Sequence, residues 1–209
     1  MTRWPVQSGK PHPRSGDIVP QWTVADEHIK GLRELSDDLE RDLSELDDGI
    51  MAIGLDLVVK ANRSRSIGPS SVDCICYCNN TVYLIEFKAE KSGEGRDRIV
   101  ARYPNKAIDS LVILLRLLGC RRSEKVNLII VHQNIRQDLV GNLTAGSCKH
   151  NLPDEISWLG MRDSRNQGVY FDKVEYRSCK DFIELANRTL VRSTKEGLES
   201  RFRSVPSEL

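Results

Sequence analysis

Apolar residues recur at intervals of three and four through Ile29, Leu32, Leu35, Leu39, Leu43 and Leu46, which predicts one amphipathic helix over 24–48, closed by Gly49. The pattern then changes. Ile50 to Lys60 reads as a first core strand with LDLVVKA its strongest part, followed by a polar loop over 62–71 that carries Arg63 and Arg65. Two alternating runs, 72–78 and 81–88, flank Asn79-Asn80-Thr81, residues that tolerate a tight turn, and together predict a β-hairpin. Residues 91–103 have charge, Gly93 and Gly95 but no period, and read as a mobile loop beside the hairpin. A second helix is expected over 105–118, with Pro104 before it and Gly119 after it. VNLIIVH, 126–132, is a continuous apolar run suited to a strand covered on both faces. Beyond a polar stretch at 134–168, a last strand is expected to Arg177 and a last helix over 180–189 with Phe182, Ile183, Leu185 and Ala186 inward. Strands interleaved with helices predict a single α/β domain over 23–191. The Pro- and Gly-rich 1–22 reads as a flexible arm and 192–209 as a frayed tail.

Composition narrows the class without changing this picture. With 209 residues, 39% hydrophobic and 29% charged, the chain has the length and balance of a single globular domain. Its longest apolar run, Leu111 to Leu115, is too short to span a bilayer, so no membrane partner is expected. The N-terminus has no apolar export segment and the six cysteines have no spaced framework, which points to a reducing cytoplasm. The net charge of +1 hides a polarity: 26–48 holds ten acids against three bases, and 88–125 ten bases against five acids. If the fold gathers the basic stretch beside a site, Arg96, Arg98, Arg102 and Lys106 become candidate phosphate contacts; otherwise these are solvated faces.

The hairpin carries the chemistry. Asp73 opens one strand and Glu86 and Lys88 end the next, so two carboxylates and an amine meet on one sheet, and period two sets Phe87 with Ile85 on the opposite face. Burying such charges without partners is costly. A divalent cation removes that cost, since carboxylates are hard oxygen ligands and an ammonium can face the water or phosphate a metal holds. The alternative is that these residues mark the solvated end of a half-buried strand.

Asp73, twelve residues, then Glu86-Phe87-Lys88 resembles the signature of the PD-(D/E)XK nuclease superfamily, with Val72 where the name has Pro. The order of elements resembles its restriction-endonuclease-like αβββαβ core as well, which implies a mixed central sheet flanked by helices. The resemblance implies a nuclease that hydrolyses phosphodiester bonds, with DNA the favoured substrate and bacterial phage defence a setting. Asp73 and Glu86, helped by the Phe87 carbonyl, would hold Mg2+ or Mn2+, and Lys88 would orient water or neutralise charge at phosphorus. It makes Asp42, Glu45 and Asp47 candidates for a further acid from the first helix, with no means of choosing among them. Lys106 and Ser110, on the second helix with Asp109, are candidates to face the site. The rival expectation is a domain of this fold without turnover that binds nucleic acid, or serves as a subunit with a protein partner or a second copy of itself.

Cys74, Cys76 and Cys78 alternate on the first hairpin strand, too widely spaced to converge on zinc, and read as core packing beneath the second helix. Cys148 and His150, with Cys120 or Cys179, are a remoter zinc candidate lacking any Cys-x2-Cys pair.

Overall fold

The computed structural model describes residues 22–62, 69–89, 96–117, 124–133, 159 and 170–202, and at 37, 38, 96–103 and 115–117 the backbone only. It is an α/β protein built on one open, mixed six-stranded sheet: β1 (Ile29–Gly31), β2 (Met51–Gly54), β3 (Cys74–Cys78), β4 (Thr81–Lys88), β5 (Lys125–His132) and β6 (Lys173–Ser178). The strands lie in sequence order, antiparallel from β1 to β4 and parallel from β4 to β6. Four α-helices accompany it among the described residues: α1 (Leu55–Asn62), α2 (Arg96–Leu117), α3 (Cys179–Thr189) and α4 (Lys195–Phe202).

The β3–β4 hairpin forms as expected. Asn79 and Asn80 both adopt positive φ, 51° and 56°, the geometry of a two-residue turn whose twist matches the strands it joins. Strand alternation then sorts side chains into two cores. Ile75, Val82, Leu84, Val126, Leu128 and Ile130 face α1, α2 and α4, while Cys74, Cys76, Cys78, Ile85, Phe87, Ile129 and Val131 face the leucines of 32–46 and α3. The cysteine trio therefore packs under α3 and the leucine turns, not under the second helix. Phe87 meets Phe182 edge to face at 5.7 Å.

Four further expectations are corrected. The stripe Leu32, Leu39, Leu43 and Leu46 is buried, but 24–48 is no continuous α-helix: it comprises short 3-10 turns around β1. Its backbone bonds are local, Leu43 N–H to the Leu39 carbonyl and Leu46 N–H to the Leu43 carbonyl, both 3.0 Å. Asp37, Asp38, Asp42, Asp47, Ser36 and Ser44 are residues that favour turns and caps over helix interiors. The tract 50–60 divides at Gly54 into β2 and α1. Leu55, Val58 and Val59 are buried at helical spacing, and a Cβ on Gly54 would lie 2.9 Å from Leu57 Cδ1 and 3.0 Å from Leu35 Cδ2, so glycine permits this close turn.

The second helix begins at Arg96 rather than after Pro104, so 96–103 is helical and not loop. Pro104 removes one backbone hydrogen bond, and Ala107, Ile113 and Leu114 hold the turns after it on the sheet. The tail is also corrected, since α4 buries Leu198 and Phe202. Just before α4, Ser193 is wedged where β2 and β3 part. Its hydroxyl accepts from Tyr77 N–H at 3.1 Å and donates to the Met51 carbonyl at 2.8 Å.

Among the described residues no helix is long and apolar enough to cross a membrane. The loop at 63–68, most of 134–168, the arm 1–21 and residues 203–209, with Cys120, Cys148 and His150, lie outside the described residues.

Candidate functional site

The segment entering β3 is strapped between two helices. Val72 N–H donates to Ser110 Oγ at 2.9 Å and Ser70 N–H to Asp109 Oδ2 at 3.0 Å, both on α2, while the Ser71 hydroxyl donates to the carboxylate of Asp56 on α1. Leu55 N–H donates to the Asp73 carbonyl at 3.0 Å. Asp73 is thereby held at the mouth of the hairpin. Its Oδ2 accepts Phe87 N–H at 2.6 Å, where β3 has ended and offers no ladder partner. Gln133 N–H donates to the Lys88 carbonyl, so β4 turns the backbone of Lys88 toward β5 and, by strand alternation, that of Phe87 toward Asp73.

Glu86 lies one residue before, on the face covered by α2, with only 1% of its side chain exposed. A carboxylate that deep requires compensation. Lys88 Nζ lies 2.7 Å from Glu86 Oε1, and Lys106 Nζ, reaching down from α2, lies 2.9 Å from Oε1 and 3.1 Å from Oε2. The same Lys106 ammonium is 3.9 Å from Asp73 Oδ1. Burial and the neighbouring Glu86 charge push the Asp73 carboxyl up to about 7, against the opposing pull of Lys106, the Phe87 hydrogen bond and Lys88. For Lys106, burial disfavours the charge, yet Glu86 and Asp73 outweigh it and hold the ammonium above its ordinary value.

A cleft of about 330 Å3 opens beside Asp73, Phe87 and Lys88. Its other wall is formed by Lys30, Glu34, Leu35 and Ser36 from the N-terminal turns and by Asp56, Leu57 and Lys60 from α1. Lys30 pairs with Glu34.

Of the residues singled out in the sequence, Asp73, Glu86, Phe87, Lys88 and Lys106 meet in one cluster. Lys106, expected at a phosphate, is instead engaged with the two carboxylates. Ser110 is fully buried and serves the backbone, donating to the Lys106 carbonyl at 2.7 Å, so it does not line the cleft. Asp42, Glu45 and Asp47 are elsewhere: Asp42 accepts from Gln133 Nε2 at 2.7 Å, the Glu45 carbonyl from Asn187 at 2.9 Å, and Asp47 Oδ1 from Gly49 N–H at 2.7 Å. Asp42 thus reaches Gln133, the residue bonded to the Lys88 carbonyl, and none of the three acids lines the cleft. Arg96, Arg98 and Arg102 occupy the first two turns of α2, and their side chains lie outside the described residues. The residues missed are Lys30, Glu34, Asp56 and Lys60. Gly54 followed by an acid and apolar residues at helical spacing was the available sign of Asp56, hidden by reading LDLVVKA as a strand.

Among the described residues no group of three or more His, Cys, Asp and Glu side chains is arranged to hold a metal ion. The donor set is two carboxylates, and the fact that one ammonium touches both defines a point where a single positive charge serves the pair. Mg2+ is commonly held by one or two carboxylates plus water and substrate phosphate, so this set fits it, whereas the described residues form no dedicated protein cage. Compared with family models, curated proteins and solved structures, the chain matches none.

Proposed function

We propose that this protein is a metal-dependent nuclease of the restriction-endonuclease-like kind, with Asp73, Glu86 and Lys88 as its catalytic residues and DNA as the favoured substrate. The observation that carries the reading is the convergence of Asp73, Glu86 and Lys88 at the mouth of one hairpin, beside a charged cleft. Support also comes from topology: the antiparallel strands β2 to β4, then α2, then the parallel strand β5 follow the order of the resembled core, without its first helix and with α1 inserted between β2 and β3.

Asp73, Glu86 and the Phe87 carbonyl would hold Mg2+ or Mn2+, which supplies Lewis-acid polarisation of a phosphate and a more acidic bound water. The chain's own groups do the rest. The Phe87 N–H orients the Asp73 carboxylate. Lys88, at the cleft and still partly exposed, is placed to donate to a phosphate oxygen or orient a water, stabilising charge that develops in the transition state. Lys30 and Lys60 on the far wall offer positive charge to the flanking backbone, and the mixed charges of the cleft suit a polyanion bound together with a cation.

A second reading has its own observation. Both oxygens of Glu86 are taken by lysines and Asp73 terminates the hairpin ladder, so the cluster is also a complete structural ion network. On that reading the domain binds nucleic acid, or a protein partner, without turnover. Purified protein incubated with plasmid and single-stranded substrates in Mg2+, Mn2+ and EDTA separates the two. The nuclease reading expects metal-dependent cleavage that disappears in Asp73→Ala and Glu86→Ala, with the fold checked by circular dichroism. Lys88→Ala should lower the rate far more than metal binding. Cleavage surviving both carboxylate substitutions, or none in any metal, rejects the assignment.

A further inference from the structure

We propose that the Lys106 ammonium is a built-in stand-in for the divalent cation, occupying its point between Asp73 and Glu86 and leaving when the cation binds, so that Lys106 sets the cation affinity of the site. This rests on the metal-dependent reading above. One nitrogen lies 2.9 and 3.1 Å from the two oxygens of Glu86 and 3.9 Å from Asp73. A cation held by both carboxylates would draw on the same oxygens that this ammonium engages, so the two compete for them.

Lys88 is placed differently. Its ammonium lies 2.7 Å from Glu86 Oε1 and it lines the cleft, so it can remain at Glu86 when Lys106 leaves. The Lys106 stem comes from the turn of α2 that Ser110 fastens to Val72, which keeps its base in place. Its side chain is 24% exposed, so it is not sealed in the core. Lys88 and Lys106 on Glu86, and the Phe87 N–H on Asp73, leave neither carboxylate unpartnered in the cation-free cluster, so the parent chain should need no metal to fold.

The test uses the full-length chain with Mn2+ as probe, its binding followed by electron paramagnetic resonance, and thermal unfolding with and without EDTA. Lys106→Met keeps the stem and removes the charge. It should bind Mn2+ at least about tenfold more tightly than the parent, the size expected when one charge-assisted contact no longer competes. Its melting temperature should fall below the parent's in EDTA and rise more on adding Mn2+, because binding to the folded state alone stabilises it. Lys106→Gln, which retains a donor for Glu86, should shift affinity in the same direction and serves if Lys106→Met does not fold. Lys106→Arg keeps the charge and should stay within about threefold of the parent. If the parent binds Mn2+ and neither neutral variant binds it more tightly, the inference is overturned while the nuclease reading stands. If no form binds Mn2+, both fall.

Discussion

Replacing Asp73 by Asn tests how strained the ionised carboxylate is at the hairpin mouth. The change preserves shape, and the amide oxygen can still accept the Phe87 N–H that Asp73 Oδ2 now holds at 2.6 Å. Burial, then the Glu86 charge, raises the folded carboxyl from 3.8 to about 7. Between those values the folded chain keeps a proton that the unfolded chain has lost, so stability falls with rising pH. The contribution is fully present below 3.8 and is lost as pH rises through about 7. Three pK units at 1.36 kcal/mol each set a ceiling of about 4 kcal/mol. The side chain is 25% exposed, and it shares its charge balance with Glu86 and two lysines, so about 2 kcal/mol is expected. Urea unfolding in EDTA should therefore show the parent losing about 2 kcal/mol relative to Asp73→Asn between about pH 4 and pH 8. Parallel pH profiles, or a parent that gains on the variant as pH rises, would refute the reasoning.

Two further outcomes follow from the packing. Arg201 on α4 forms a two-pronged ion pair with Glu124, whose side chain is only 2% exposed, and its guanidinium also lies 5.1 Å from the Phe202 ring centre. Arg201→Ala removes this two-pronged pair from a buried acid and should cost about 3 kcal/mol, with hydrogen exchange rising first across 195–202; unchanged protection there would show that α4 is held by its apolar residues alone. Burial raises the thiols of Cys74, Cys76 and Cys78, and burial together with Asp42 pushes Cys179 up to about 11. Native protein at neutral pH should leave these four unlabelled by a thiol reagent until denaturant is added, as mapped by mass spectrometry; labelling of the strand trio in the folded state would contradict their packing.

Period two in 72–88 by itself determined the hairpin, its turn at Asn79-Asn80, and the placing of Asp73, Glu86 and Lys88 on one face, because strand alternation is a local property of the chain. The apolar run of β5 and the stripe of α3 were legible for the same reason. Which residues of 24–48 would be buried could also be read, but not their conformation: a spacing of three and four suits successive 3-10 turns as well as a helix once Asp and Ser compete for the backbone. The division of 50–60 into β2 and α1 was hidden because a short apolar stretch does not distinguish strand from helix, and the close approach of Leu35 and Leu57 at Gly54 exists only after folding. Only the tertiary structure could lower Lys106 from α2 onto Glu86, bring Asp56 and Lys60 to the cleft with Asp73, and remove Asp42, Glu45 and Asp47 from it. Those arrangements join residues far apart in sequence, and their energies come from burial and charge pairing, which no local pattern records.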